Sequence, residues 1–239
     1  MVRTETDLFE AEEAALAAAV RIHTAPAADA EAFRRALGDL IQRYERMMRE
    51  SRRMIRHGDR QERELNALNI KLRDLAEQLD YKARHDALTG EFNRGAIIEL
   101  ATQILARSPL SLVVLDIDLF KRINDEYGHP VGDEVIIELV RRIRTVLPTE
   151  AQIGRVGGEE FTVLLARYDI DSAMRLAHAM RRAIADQPFS FAGGIHVTAS
   201  FGVSASVMGS DFVQAYARAD AALYEAKRAG RNAVQEAKP

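Results

Sequence analysis

The sequence contains no cysteine, so disulfides, thiol catalysis and cysteine-ligated metal sites are excluded from the chain itself. It has no unbroken apolar run approaching the ~20 residues that a membrane-spanning helix needs. The N-terminal Met1-Val2-Arg3-Thr4-Glu5 lacks the apolar stretch of a secretory signal, and the expected location is the cytoplasm. No glycine-rich phosphate fingerprint opens a helix directly after a strand and no P-loop is present, which argues against a Rossmann domain. A net charge of −3 argues against a general nucleic-acid coat. What remains is a chain of 239 residues, 47% hydrophobic, long enough for one good core plus an accessory segment or for two small domains.

The N-terminal part is all helical by pattern. From Thr6 to His23, Leu8, Ala15, Leu16, Ala19 and Ile22 recur at helical spacing in an alanine-rich background, and Thr24-Ala25-Pro26 ends the run. A second helix starts near Asp29, a suitable N-cap. One heptad register then fits a long stretch, with Leu37, Tyr44, Ser51, Gly58, Leu65, Leu72 and Leu79 at a and Leu40, Met47, Met54, Gln61, Leu68 and Leu75 at d. Ile41, Met48 and Ile55 widen the apolar stripe in the first half, which fits a bundle; the second half keeps to a and d, which fits a coiled coil with a second copy. The expected arrangement has the first helix folded back on the upper half. Ser51, Gly58 and Gln61 make weak core layers, and Gly58-Asp59 with Glu62 resembles a helix end followed by a capping box, so a single helix and a broken one both remain open. Arginines 46, 49, 53, 56, 60 and 63 form a stripe that reads as a solvated face or as a docking surface for an acidic partner protein.

Heptads stop near His85-Asp86-Ala87-Leu88-Thr89-Gly90, where a globular domain is expected to begin, giving a helical stalk over 1–84 and a second domain over 85–239. Its pattern predicts a helix over 93–106, a central strand from Leu110 to Ile117, helices from Phe120 to Glu126 and Gly132 to Leu147 with a bend at His129-Pro130, and a hairpin around Gly157-Gly158. A helix from Ile170 to Asp186, strands near Phe189–Phe191 and Ile195–Val203 joined at Gly193-Gly194, and a helix from Phe212 to Ala229 complete it. That order suits an α+β fold with a ferredoxin-like palm, its sheet covered by helices.

The chemistry concentrates in Arg155-Val156-Gly157-Gly158-Glu159-Glu160-Phe161, where adjacent carboxylates follow a glycine pair in an otherwise apolar run. The glycines are expected to supply positive φ for a tight two-residue turn and to let a large ligand approach the backbone. Asp116 and Asp118 end the central strand. Should that strand lie beside the hairpin, Asp116 and Glu159 converge at one sheet edge, which suits hard divalent ions held by carboxylates, a backbone carbonyl and substrate phosphates. Such a pair can carry two metals ~3.5–4 Å apart. Lys121, Lys227 and Arg231 are candidate phosphate-binding cations.

Asp116-Ile117-Asp118-Leu119-Phe120-Lys121-Arg122-Ile123-Asn124-Asp125, Gly128-His129, Gly132-Asp133 and Gly157-Gly158-Glu159-Glu160-Phe161 closely resemble the diguanylate cyclase (GGDEF) family. Asp86-Ala87-Leu88-Thr89-Gly90 with Asn93-Arg94 resembles its entry motif, and Lys227-Arg228-Ala229-Gly230-Arg231-Asn232 its closing one. The resemblance implies a nucleotidyl-cyclase palm that condenses two GTP into cyclic di-GMP. It implies Mg2+ (or Mn2+), two ions per active site, held by Asp116, Glu159, Glu160 and the carbonyl of Ile117. Glu160 is implied as a further ligand or as activator of the ribose 3′-hydroxyl, Asn124 and Asp133 as guanine readers, and Phe120, Lys121, Lys227 and Arg231 as further substrate contacts, the three cations on the triphosphate. Each domain is expected to bind one GTP, so two must face each other, and a homodimer through the N-terminal helices supplies that arrangement. The family's Arg-x-x-Asp product site falls on Pro148 and Ala151 and is therefore absent; Arg181 or Arg182 is the candidate for a secondary dinucleotide contact. The rival readings are a silent GTP or cyclic-dinucleotide binding module acting by protein contacts, and a different nucleotidyl cyclase on the same palm.

Overall fold

A computed structural model of the chain describes residues 10–25, 29–190 and 194–238. The chain divides into two compact units, Met1–Ala76 and Glu77–Pro239.

Among the described residues of the first unit, helix α1 spans Glu10–Thr24, and helix α2 begins at Ala30 and ends at Arg84 in the second unit. The expected helix start at Thr6 and the break at Pro26 lie outside the described residues. Asp29 is the N-cap, its Oδ1 accepting from the Ala32 amide at 2.6 Å. The helix runs unbroken through Gly58, so the capped alternative at Asp59 is not taken. Leu16, Ala19, Val20 and Ile22 face Phe33, Ala36, Leu37 and Leu40 around a cavity of about 270 Å³, and Arg43 Nη1 donates to the Ala11 carbonyl at 2.9 Å. The first helix therefore folds back on the early turns of the second. Farther along, Leu65, Leu68, Leu72, Leu75 and Leu79 stand 52–61% exposed in the single chain.

The second unit is built on a sheet of order β1-β3-β4-β2-β5-β6, formed by β1 (Phe92–Asn93), β2 (Leu110–Ile117), β3 (Gln152–Arg155), β4 (Glu160–Ala166), β5 (Ala199–Ser206) and β6 (Val234–Glu236). Its helices are α3 (Arg94–Leu105), α4 (Phe120–Tyr127), α5 (His129–Val146), α6 (Ile170–Ala185) and α7 (Phe212–Arg228). In the run β3, β4, β2, β5 each strand is antiparallel to its neighbour, with β2 central, which is the ferredoxin-like arrangement. All of β2 is buried, and its residues alternate between two cores. Val113, Leu115 and Ile117 meet Ile136, Leu139 and Ile143 of α5 and Met180 and Ile184 of α6. Leu112 and Val114 meet Ile97 and Ala101 of α3 and Ala219 and Leu223 of α7. A strand covered on both faces reads as a continuous apolar run for this reason.

Several local expectations change. His129-Pro130 is not a bend but the first turn of α5, where the missing N–H of proline costs nothing; the bend is at Gly128, φ 84°. Strand β5 starts at Ala199, four residues later than the apolar pattern at Ile195 suggested. Phe189 and Ile195 form an isolated antiparallel bridge rather than strands, while Phe191 and Gly193 lie outside the described residues. Two edge strands, β1 and β6, pair in parallel with β3 and β5 and were too short to show as a pattern.

Candidate active site

The register of the central strands assembles the site. Asp116 sits opposite Glu160 on β4 and Ser200 on β5. It continues the Leu112, Val114 face of β2, just as Glu160 continues the Leu164, Thr162 face of β4, so both side chains emerge on the side covered by α3 and α7. The Ile117 amide donates to the Glu159 carbonyl at 3.3 Å, which fixes the acidic loop against the end of β2. From the last turn of α7, Lys227 Nζ reaches Asp116 Oδ1 at 2.8 Å.

The turn itself differs from the expected two-residue hairpin. The loop covers 156–159 and is closed by the Val156 and Gly157 amides, both donating to the Glu160 carbonyl. Neither Gly157 nor Gly158 takes a left-handed backbone. A Cβ at 157 would stand 2.7 Å from Glu160 Oε2, so a larger residue there would push the Glu160 carboxylate out of its present position; at 158 a Cβ would meet open space. Arg155, which carried no role in the sequence reading, holds this loop. Its Nη2 donates to the Gly158 carbonyl at 2.7 Å, and Nη1 pairs with Asp86 at 3.2 Å. Asp86 also accepts from the Thr89 amide and hydroxyl at 3.0 and 2.8 Å. Burial pushes the Asp86 carboxyl up, but Thr89 and Arg155 outweigh it and hold the group below its ordinary range.

The acidic centre shows the opposite balance. Burial, aided by the charges of Glu160 and Asp118, raises the Asp116 carboxyl above its ordinary value despite Lys227. Burial and the neighbouring Asp116 charge raise Glu159. Carboxylates crowded into partial burial favour a cation. No group of three or more acidic, histidine or cysteine side chains with metal-binding geometry occurs among the described residues. The donor set present, two carboxylates beside the Ile117 carbonyl, fits magnesium that shares its shell with substrate phosphates rather than an ion caged wholly by protein.

Helices α4 and α5 carry Phe120, Lys121, Asn124 and Asp133. Asn124 lies against Gly132, the neighbour of Asp133, and Phe120 borders the same point. Asn124 Oδ1 is buried against Gly132 and has no hydrogen-bond partner within the protein. Asp133 and Lys121 are exposed, whereas Phe120 is a core residue. Arg231 is exposed on the turn after α7. Arg181 Nη1 donates to Asn232 Oδ1 at 3.1 Å, next to Arg231, and Arg182 is exposed. Asp118, also given no role from sequence, is buried and accepts from Thr198, Ser200 and Asn232. A cavity of about 690 Å³ between α7 and β6, lined by Arg218, Tyr224, Arg228 and Gln235, contains none of these residues. The carboxylates stand where β2 ends and β4 begins.

A ferredoxin-like sheet with paired carboxylates on its central strands defines a palm of the nucleotidyl-cyclase type. Residues 83–233 match the family model for the diguanylate cyclase GGDEF domain, and the chain belongs to that family. It is 43% identical over 162 residues to the diguanylate cyclase DgcP of Pseudomonas aeruginosa, covering 65% of this chain and 24% of that relative. The chain thus spans about a quarter of the relative's length. Its structure is similar to the coiled coil and GGDEF domain of DgcB from Caulobacter crescentus in complex with c-di-GMP, with TM-score 0.68 and 30% identity over 72% of this chain and 95% of that one. It is also similar to the diguanylate cyclase SiaD in complex with its activator SiaC from Pseudomonas aeruginosa, with TM-score 0.64 and 32% identity over 85% of this chain and 78% of that one. Among the described residues no helix is long and apolar enough to cross a membrane.

Proposed function

We propose that the chain joins two GTP molecules into cyclic di-GMP and releases two pyrophosphates. The observation carrying this reading is the pairing of Asp116 with Glu160 across β2 and β4, which sets Glu159, Glu160 and Asp116 at one edge within reach of Lys227. In each half-reaction a ribose 3′-oxygen bonds to the α-phosphorus of the other GTP, the α–β bridging bond breaks, and the 3′-hydroxyl proton leaves toward Glu160. Asp116, Glu159 and the Ile117 carbonyl would hold the divalent ions, which activate the attacking oxygen and neutralise charge on the phosphates. Lys121, Lys227 and Arg231 grip the triphosphate, and Asn124 with Asp133 reads guanine; a carboxylate accepting from the guanine N1 and amino edge rejects adenine.

Opposed active sites require two chains. The exposed leucines at a and d from Leu65 to Leu79 supply the seam for a parallel coiled coil between copies. Residues 1–84 serve in this reading as a dimerising and regulatory stalk and 85–239 as the catalytic domain. A partner protein that engages the arginine-rich early part of α2 and repacks the Ser51, Gly58 and Gln61 layers would regulate it, a reading supported by the likeness to SiaD bound to SiaC.

Incubation with GTP and magnesium, followed by mass spectrometry, tests the activity. Cyclic di-GMP is expected from the native chain and is expected to vanish in Glu160→Gln. GTP binding without product in the native chain would favour the silent binding module, and cyclisation of ATP in a parallel incubation would favour a different cyclase.

A further inference from the structure

Asp118 takes no part in the proposed chemistry, yet it is only 6% exposed and accepts three hydrogen bonds. Its Oδ2 receives the Thr198 hydroxyl at 2.7 Å and the Asn232 amide at 2.9 Å, and its Oδ1 receives the Ser200 hydroxyl at 2.7 Å. Its own amide donates to the Thr198 carbonyl at 2.9 Å. A buried carboxylate is tolerated when both oxygens are bonded, and an acceptor with two oxygens is what this set of donors requires.

The segment it holds is strained. Gly230, Arg231 and Asn232 leave α7 with φ of 113°, 66° and 46°, a left-handed run in which only the first residue is glycine. Such a run persists where its surroundings fix it. Here the Arg231 amide donates to the Ala226 carbonyl at 3.2 Å, Asp118 accepts from the Asn232 amide, and Arg181 Nη1 donates to Asn232 Oδ1 at 3.1 Å. Beyond the turn, the Phe201 amide donates to the Ala233 carbonyl at 2.9 Å. Arg231 therefore sits on a turn whose backbone is anchored on both sides while its own side chain stays exposed.

We propose that Asp118 and Arg181 are positioning residues for Arg231: by gripping Asn232 through its amide and its side chain, they fix the turn that aims the Arg231 guanidinium at the phosphates of the bound nucleotide. This rests on the reading of Arg231 as a triphosphate contact. A preformed turn spares the ordering entropy of a free arginine and shows as substrate affinity rather than turnover.

The test is calorimetric titration of the 239-residue chain with a non-hydrolysable GTP analogue and magnesium, together with KM and kcat for GTP. Arg231→Ala is expected to weaken binding by about tenfold, the value of one charged hydrogen bond. Asp118→Ala should weaken it comparably, with the loss in KM and kcat little changed. Asp118→Asn, which keeps a carbonyl oxygen for the Asn232 amide and offers its NH2 to Ser200, should restore most of the affinity. In the Arg231→Ala background, Asp118→Ala should add less than about a factor of two, the margin within which uncoupled effects are not distinguished. Should Asp118→Ala fail to fold, Arg181→Met on α6 replaces it, with a loss of about threefold that disappears in the Arg231→Ala background. Additive losses in the double variant, or a lowered Tm with unchanged KM, overturn the positioning role while leaving Arg231 as a phosphate contact. Native binding by Arg231→Ala overturns the Arg231 reading and the proposal with it.

Discussion

Gly132→Ala tests the proposed guanine contact of Asn124 separately from folding. Gly132 is buried in the first turns of α5, and a Cβ there would overlap Asn124 Oδ1, standing 3.0 Å from Asn124 Cγ and 3.2 Å from Phe120 Cζ. The flexible end of Asn124 gives way more readily than two packed helices, so the expected response is rotation of the amide away from the pocket. Asn124 Oδ1 has no protein partner to lose, so the folded state loses little, on the order of 1 kcal/mol from local overpacking. Binding is affected more. Losing one or two amide contacts to the base, with the ligand's polar edge left unpaired, costs about 1–3 kcal/mol, or roughly 5- to 150-fold in affinity. Isothermal titration with a non-hydrolysable GTP analogue measures this, and a thermal melt gives the control. A variant that binds the analogue as the native chain does, with the same KM for GTP, would refute the placement of Asn124 in the base pocket. A variant that fails to fold would refute the claim that Asn124 is the yielding element.

The remaining expectations address packing, acid stability and assembly. Gly202→Ala places a Cβ onto the Ala219 carbonyl and the Leu223 amide, backbone atoms of α7 that cannot rotate aside, so α7 must lift from β5. A loss of at least about 3 kcal/mol is expected, with Tm lower by roughly 6–12 °C, and because α7 carries Lys227, activity should fall even in the fraction that folds. Glu138 is held at about 2, against 4.5 for a free glutamate, chiefly by Arg141 with help from Arg142. A lowered carboxyl stabilises the fold above its unfolded value and loses that contribution as pH falls from about 4.5 toward 2, so the Tm gap between the native chain and Glu138→Gln should be widest near neutrality and close across that window. Leu68→Lys with Leu72→Lys removes consecutive seam layers from an exposed helix face, so light scattering should show a shift toward monomer with no loss of helix, and cyclase activity should fall with it. A dimer of unchanged strength would place the interface elsewhere.

Much of this was legible in the residues. The heptads of α2, the Asp29 cap and the apolar run of β2 are local signals of period and chemistry, and each appears where the pattern put it. The carboxylates Asp116, Glu159 and Glu160 were conspicuous because two acidic pairs, each beside an apolar run, occur in separate stretches of the chain. Sequence order also carried the ferredoxin-like arrangement, since a helix-separated pair of strands, a hairpin and another helix and strand have few ways to form one sheet.

What the tertiary structure alone decided is which distant atoms meet. Arg155 and Asp118 received no role because their partners lie far off in the chain, Asp86 for one and Thr198, Ser200 and Asn232 for the other. The glycine pair invited a turn explanation from local geometry, whereas neither takes a positive φ and what lies against Gly157 is the Glu160 side chain folded back upon it. The short edge strands β1 and β6 exist because a neighbouring strand offers unpaired backbone, not because their own residues demand it. Period and composition act over a few residues and can be read along the chain; long-range hydrogen bonds depend on register and packing, which fold only once the whole sheet is in place.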